Sequence, residues 1–165
     1  MAHYHLAAEW QADAPIERVW DSLLSYRDWP TWWKGFRSVE QLRPGDERGV
    51  GMQLRQRWRS VLPYTLALDL EILRIERLKL LEGRASGDLA GTCTWILEQR
   101  DGKTNVRMIF DVRPTRRWMN LPIPFAGRVF AYNFDRIMRW GSEGMDRLLG
   151  AGVVERTATA SAAKV

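Results

Sequence analysis

The chain has 165 residues, a net charge of +5, 45% hydrophobic residues and nine tryptophans, a size that suits a single domain. Its one cysteine, Cys93, excludes an intrachain disulfide. The arginines are interleaved with acids, as in GDERG and EILRIER, and form no stripe or arm, which argues against a nucleic-acid surface.

The opening residues MAHYHLAAEW lack the basic and apolar segments of a secretion signal, and no apolar run reaches bilayer length, so a cytoplasmic chain is expected. Tyr4, Leu6, Ala8 and Trp10 alternate with His5 and Glu9, the pattern of a half-buried strand. Asp13-Ala14-Pro15 then opens a helix whose apolar residues Ile16, Val19, Trp20 and Leu23 share one face. Asp28 is placed to start a further short turn carrying Trp32 and Trp33.

From Phe36 the period becomes two. Met52, Leu54, Gln56 and Trp58 alternate with Arg55, Arg57 and Arg59, and Leu66, Leu68, Leu70 and Ile72 alternate with Asp69 and Glu71. Arginines on one outer face and acids on the next predict cross-strand pairs. A strand from Leu78 to Ala85 follows, then an inward set of Cys93, Trp95 and Leu97. Asp101-Gly102 predicts a type I′ hairpin turn into the last strand, Val106 to Val112. A long helix from about Gly127 to Leu149 presents Phe130, Phe134, Ile137, Met138, Gly141, Met145 and Leu148 on one face. Two glycines there, Gly141 and Gly144, each cost about 1 kcal/mol against alanine, so close packing or room for a guest must offset them. The small polar tail, 151–165, is expected to be disordered.

This order of elements predicts an α+β domain over 1–150: an antiparallel sheet wrapped around the final helix, with two short helices after the first strand. The motifs APIERVW, DWPTWWKGFRSVE, PGDERGVG, TWILEQRDGKTNV and RRWMNLPIPFAGRVFAYNFDRIMRWGSEGM, in this order over Tyr4 to Leu149, resemble the START-like (SRPBCC, Bet v 1-like) superfamily. Within it, the chain is similar to the polyketide cyclase/dehydrase-type proteins. The resemblance implies a helix-grip fold, in which a seven-stranded sheet grips the C-terminal helix over a deep apolar cavity. It also implies a hydrophobic small molecule or lipid as partner. In similar sequences a histidine follows the asparagine of the last helix; here Asn133 is followed by Phe134.

The stretch DWPTWWKGF crowds Trp29, Trp32 and Trp33 where no long element forms, and their rings are candidates to wall such a cavity. Trp58, Trp95, Phe130 and Ile137 are further candidate lining residues. Gln56 stands in the apolar phase of its strand and is the leading candidate to orient a guest's oxygen. Tyr132, Asn133, Glu82 and Arg84 are the remaining polar groups considered to face inward. The apolar, proline-broken segment 118–125, with Trp118 and Phe125, reads as a lid or docking loop, and with Arg116, Arg117 and Arg128 the wider loop 116–128 is suited to transient membrane contact.

Catalytic signals are few. His3 and His5 are the only histidines and lie on the outer face of what reads as an edge strand, no Cys/His cluster suggests a metal, and Gly45, Gly49 and Gly51 form a turn instead of a phosphate loop. No cofactor is expected. The leading expectation is therefore a carrier or sensor of a hydrophobic molecule. The alternatives are a polyketide aromatase/cyclase or dehydrase, and a protein-interaction module using the loop 118–125.

Overall fold

The structure, a computed structural model, describes residues 2–61, 63–120 and 126–164. Strand β1 (Ala2–Ala12) leads to helix α1 (Ile16–Leu24), a single 3₁₀ turn and the short helix α2 (Trp29–Trp32). Strands β2 (Phe36–Arg43), β3 (Gln53–Arg59), β4 (Thr65–Glu76), β5 (Leu80–Gly87), β6 (Leu89–Arg100) and β7 (Lys103–Pro114) follow as successive antiparallel neighbours. A 3₁₀ turn at Arg117–Asn120 precedes the long helix α3 (Ala126–Leu149), and strand β8 (Val153–Lys164) ends the described chain.

Period-two patterning became sheet because each strand had one apolar face to bury. Leu54, Gln56 and Trp58 point inward from β3, and across the β3–β4 register the outward Arg55 meets Asp69 with two bonds of 2.8 and 2.9 Å. Arg84 pairs outward with Glu71 at 3.0 Å in the same way. Asp101 (φ 53°) and Gly102 (φ 73°) make the β6–β7 turn with two left-handed residues, as a type I′ hairpin requires. Leu78 does not start a strand: it sits in the β4–β5 turn at φ 62°, and β5 begins two residues later.

Among the described residues the sheet has eight strands, in the order β2-β3-β4-β5-β6-β7-β1-β8, one more than the resemblance implied. The extra strand corrects the expectation of a disordered tail. After Leu149, Gly150 takes φ 60°, Val153 N–H donates to Asp146 Oδ1 at 2.8 Å, and the chain turns back along β1 from Ala12↔Val153 to Ala2↔Lys164. The driving force is the row of unpaired backbone groups that β1 would otherwise present at the sheet's edge. β1 is therefore an interior strand, not the edge strand expected, although His5 still points outward and meets Asp111 at 2.5 Å.

Helix α3 lies across the concave face in two different ways. Its C-terminal half is flush. A methyl group at Gly141 would stand 2.5 Å from carbons of Trp10 and Trp33, and one at Gly144 would stand 1.9 Å from the Trp32 carbonyl oxygen. Close approach therefore accounts for both glycines. The N-terminal half, from Phe130 to Ile137, stands over a hollow.

Candidate functional site

The hollow is bounded by the inward faces of β3 to β7, by Leu23 and Leu24 of α1, by Trp29 of α2 and by Phe130, Asn133, Phe134 and Ile137 of α3. Its volume is about 90 Å³ and its wall is almost wholly apolar. Trp29 stacks on Trp95 at 5.4 Å and 10°, while Phe110 meets Trp58 and Phe134 edge-on at 6.1 and 5.6 Å. Exposed Leu24 and half-buried Tyr26, Met52, Ile75 and Leu81 mark the end that reaches the surface.

Among the residues singled out in the sequence, Trp29, Gln56, Trp58, Trp95, Phe130, Asn133 and Ile137 line the hollow. Glu82 touches its wall as well, and the others are placed elsewhere. Trp33 is 0% exposed and acts as filler: its Nε1 donates to the Ile137 carbonyl at 2.8 Å, and its ring contacts those of Trp10, Trp29 and Phe36. Trp32 is buried beside it, on the side facing the end of α3. Burying an indole removes roughly 200 Å² from water, about 5 kcal/mol at 25 cal/mol/Å². The cluster therefore has a stabilising role whether or not a guest binds.

Tyr132 is 57% exposed, because Asn133 and Ile137 take the inward face and Tyr132 is rotated one residue, about 100°, away from it. Trp118 is on the outside, 44% exposed and packed edge-on against Tyr64. Arg84 is committed to the outer face, and Glu82 belongs to the same outward phase of β5, touching the wall beside inward Leu81 and Gly83. Phe125 and the centre of the apolar loop lie outside the described residues. The segment leading into that loop is held by Asp88, which is 6% exposed, accepts the Ala67 N–H at 2.9 Å and pairs with Arg116.

Further wall residues are not marked by aromatic density: Leu54, Leu68 and Phe110 carry the inward alternation of their strands, and Phe134 the apolar face of α3.

Two amides stand out in this apolar wall. Gln56 and Asn133 are each 3% exposed. Gln56 Oε1 accepts the Trp58 Nε1–H at 3.0 Å, and Asn133 Oδ1 accepts the Val61 backbone N–H at 2.8 Å.

Titratable chemistry is scarce. Burial pushes the Cys93 thiol up to about 12, so it stays protonated. Tyr26 spends its hydroxyl on Gln41 Oε1 at 3.0 Å. Neither lysine, arginine nor histidine lines the hollow among the described residues, and no cluster of potential metal ligands occurs among them.

Residues 4–150 match the family described as "Polyketide cyclase / dehydrase and lipid transport". A START superfamily protein from Mycobacterium smegmatis superposes with a TM-score of 0.71 at 12% identity, covering 88% of this chain and 99% of the other. The Zhui aromatase/cyclase from Streptomyces sp. R1128 gives 0.68 at 14% identity, with 88% and 96% covered. A conserved protein from Geobacillus kaustophilus gives 0.63 at 11%, with 92% and 98% covered. At these identities the likeness is one of fold. No curated protein matches the sequence.

Proposed function

The chain belongs to the polyketide cyclase/dehydrase and lipid transport family, and from that premise we propose that it is a binding protein, a carrier or sensor that takes a hydrophobic small molecule or lipid chain between sheet and helix α3. The observation that carries this reading is the apolar hollow under the N-terminal half of α3, in a helix whose other half packs flush.

The volume limits what enters unaided. About 90 Å³ is below the roughly 150 Å³ apolar cavity that takes up benzene and the roughly 300 Å³ at which small-molecule pockets begin. A guest of any length therefore has to displace part of the wall. The N-terminal half of α3 is the part to give, because no glycine there is wedged against an indole, whereas Gly141 and Gly144 pin the other half. The apolar loop 118–125 joins that end of the helix, and in this reading it acts as the lid through which a guest, or a membrane that holds one, is met.

Turnover is the weaker reading. A cyclase working by proton transfer needs an acid or base in reach of the substrate. Here the thiol is locked in its protonated form, both histidines belong to β1, outside the wall, and the one carboxylate at the wall among the described residues, Glu82, belongs to the outward phase of β5.

Native mass spectrometry of the protein from its source cells is expected to show a co-purifying apolar guest. A neutral solvatochromic dye should bind and shift to the blue. Ala85→Phe, which puts a ring into the hollow, should abolish the shift without unfolding the chain. A bare polypeptide mass together with no dye uptake would refute the proposal.

A further inference from the structure

We infer that the guest is a neutral molecule carrying a carbonyl-type oxygen, such as a ketone, ester or amide on an apolar skeleton, and that Gln56 and Asn133 hold that oxygen. This rests on the cavity-binding reading above and adds the chemical class.

One end of each amide is already used. An indole N–H and a backbone N–H only donate, so the groups facing them must be the side-chain carbonyl oxygens, and both amide orientations are fixed. The NH₂ ends are left over. No acceptor among the described residues takes a hydrogen bond from Gln56 Nε2 or Asn133 Nδ2, yet neither atom is among the sealed polar atoms without partners. Both residues line the hollow and are almost wholly buried, which sets their unused NH₂ ends at its wall. Each NH₂ offers two donors, and the wall offers them little to meet.

Leucine flanks Gln56 in the same inward phase at Leu54, and would fill the position as well if packing alone mattered. A buried donor without an acceptor is unfavourable, and a guest oxygen supplies one.

Charge then narrows the class. A carboxylate taken into an apolar cavity needs a cationic partner, and neither lysine nor arginine lines this one among the described residues. Glu82 at the wall adds a like charge on its outer side. A fatty-acid anion is therefore disfavoured. A plain hydrocarbon fits the walls but leaves the donors unanswered. A neutral acceptor satisfies both conditions.

Isothermal titration with a medium-chain methyl ketone, the alkane of equal length and the carboxylate of equal length separates these cases. The ketone is expected to bind about tenfold or more tighter than either of the others at neutral pH. Its carbonyl stretch, read by difference infrared on an isotope-labelled ketone, is expected to move to lower frequency than in hydrocarbon solvent. Gln56→Leu should reduce the preference for ketone over alkane and shrink the infrared shift. The infrared reading on the unmodified protein stands even if that variant folds poorly. Equal binding of ketone and alkane, a carboxylate that binds best, or an unshifted carbonyl overturns this inference and leaves the cavity reading intact. Failure of all three ligands to bind overturns both.

Discussion

Replacing Gly144 by alanine tests the division of α3 into a flush half and a hollow half. In an unstrained helix the change would be favourable by about 1 kcal/mol. Here the new methyl would stand 1.9 Å from the carbonyl oxygen of Trp32 and 3.2 Å from its ring. The oxygen is backbone and cannot rotate away, so α2 and α3 must separate. Overpacking of a tight contact typically costs about 3 kcal/mol at the upper end of the usual range, leaving a net loss of about 2 kcal/mol after the helix gain. For a domain of this size that is a fall of roughly 4–8 °C in Tm. Gly127→Ala is the control, since its methyl meets only Tyr4 Cε1, at 3.9 Å. It is expected to leave Tm unchanged or to raise it slightly. Thermal unfolding followed by circular dichroism reads both variants. A Gly144→Ala protein as stable as its parent would show that helix and indoles are not in contact, and the account of where the hollow ends would fail with it.

Asp88→Ala leaves the Ala67 N–H without its acceptor and Arg116 without its partner, and should cost about 2 kcal/mol by urea denaturation, the partly exposed guanidinium moderating the loss. Cys93, with its thiol pushed up to about 12, should react with a maleimide at neutral pH only at the rate of unfolding; rapid labelling of the folded protein would contradict its placement. Glu155 on β8 is raised from 4.5 to about 7, first by burial and then by the hydrogen bond and charge of Asp135, with Glu143 adding to the rise and Arg139 opposing it. Between those two values the folded chain holds more protons than the unfolded one, so stability should fall as pH rises from about 4.5 to about 7 and level off above. Glu155→Gln should flatten that slope in pH-dependent melts; an unchanged slope would exonerate the residue.

Much of the architecture could be read before any coordinates, because β3 to β7 bury one face each and strict alternation is the mark of that burial. The Arg55–Asp69 pair and the Asp101-Gly102 turn followed from the same local rules. β8 was not legible. Its Thr-Ala-Thr-Ala-Ser-Ala run alternates, but between small side chains that give no strong apolar face, and its place is decided by the free edge of a strand far away in the sequence. Within the site, Trp29, Gln56, Trp58 and Trp95 were found because strand phase or aromatic density pointed to them. Density did not reveal direction, so Trp32 and Trp33 were counted with Trp29 although they fill the joint. Tyr132 shows the sensitivity of a helix face to a single residue, since its neighbour Asn133 took the inward position.

The bond from the Trp33 indole to the Ile137 carbonyl ties the end of α2 to α3 beside the hollow, and under the proposed binding role it limits how deep a guest can sit. Ile137 belongs to the chamber and Trp33 does not, so the indole is a bulkhead across its inner end, braced by Trp10 and Phe36. A lengthening tail cannot tunnel further along the helix axis. Under the proposed binding role, successive members of a homologous series would have to protrude toward Phe130 or out past Tyr26, and affinity would then step with chain length once the inner end is filled.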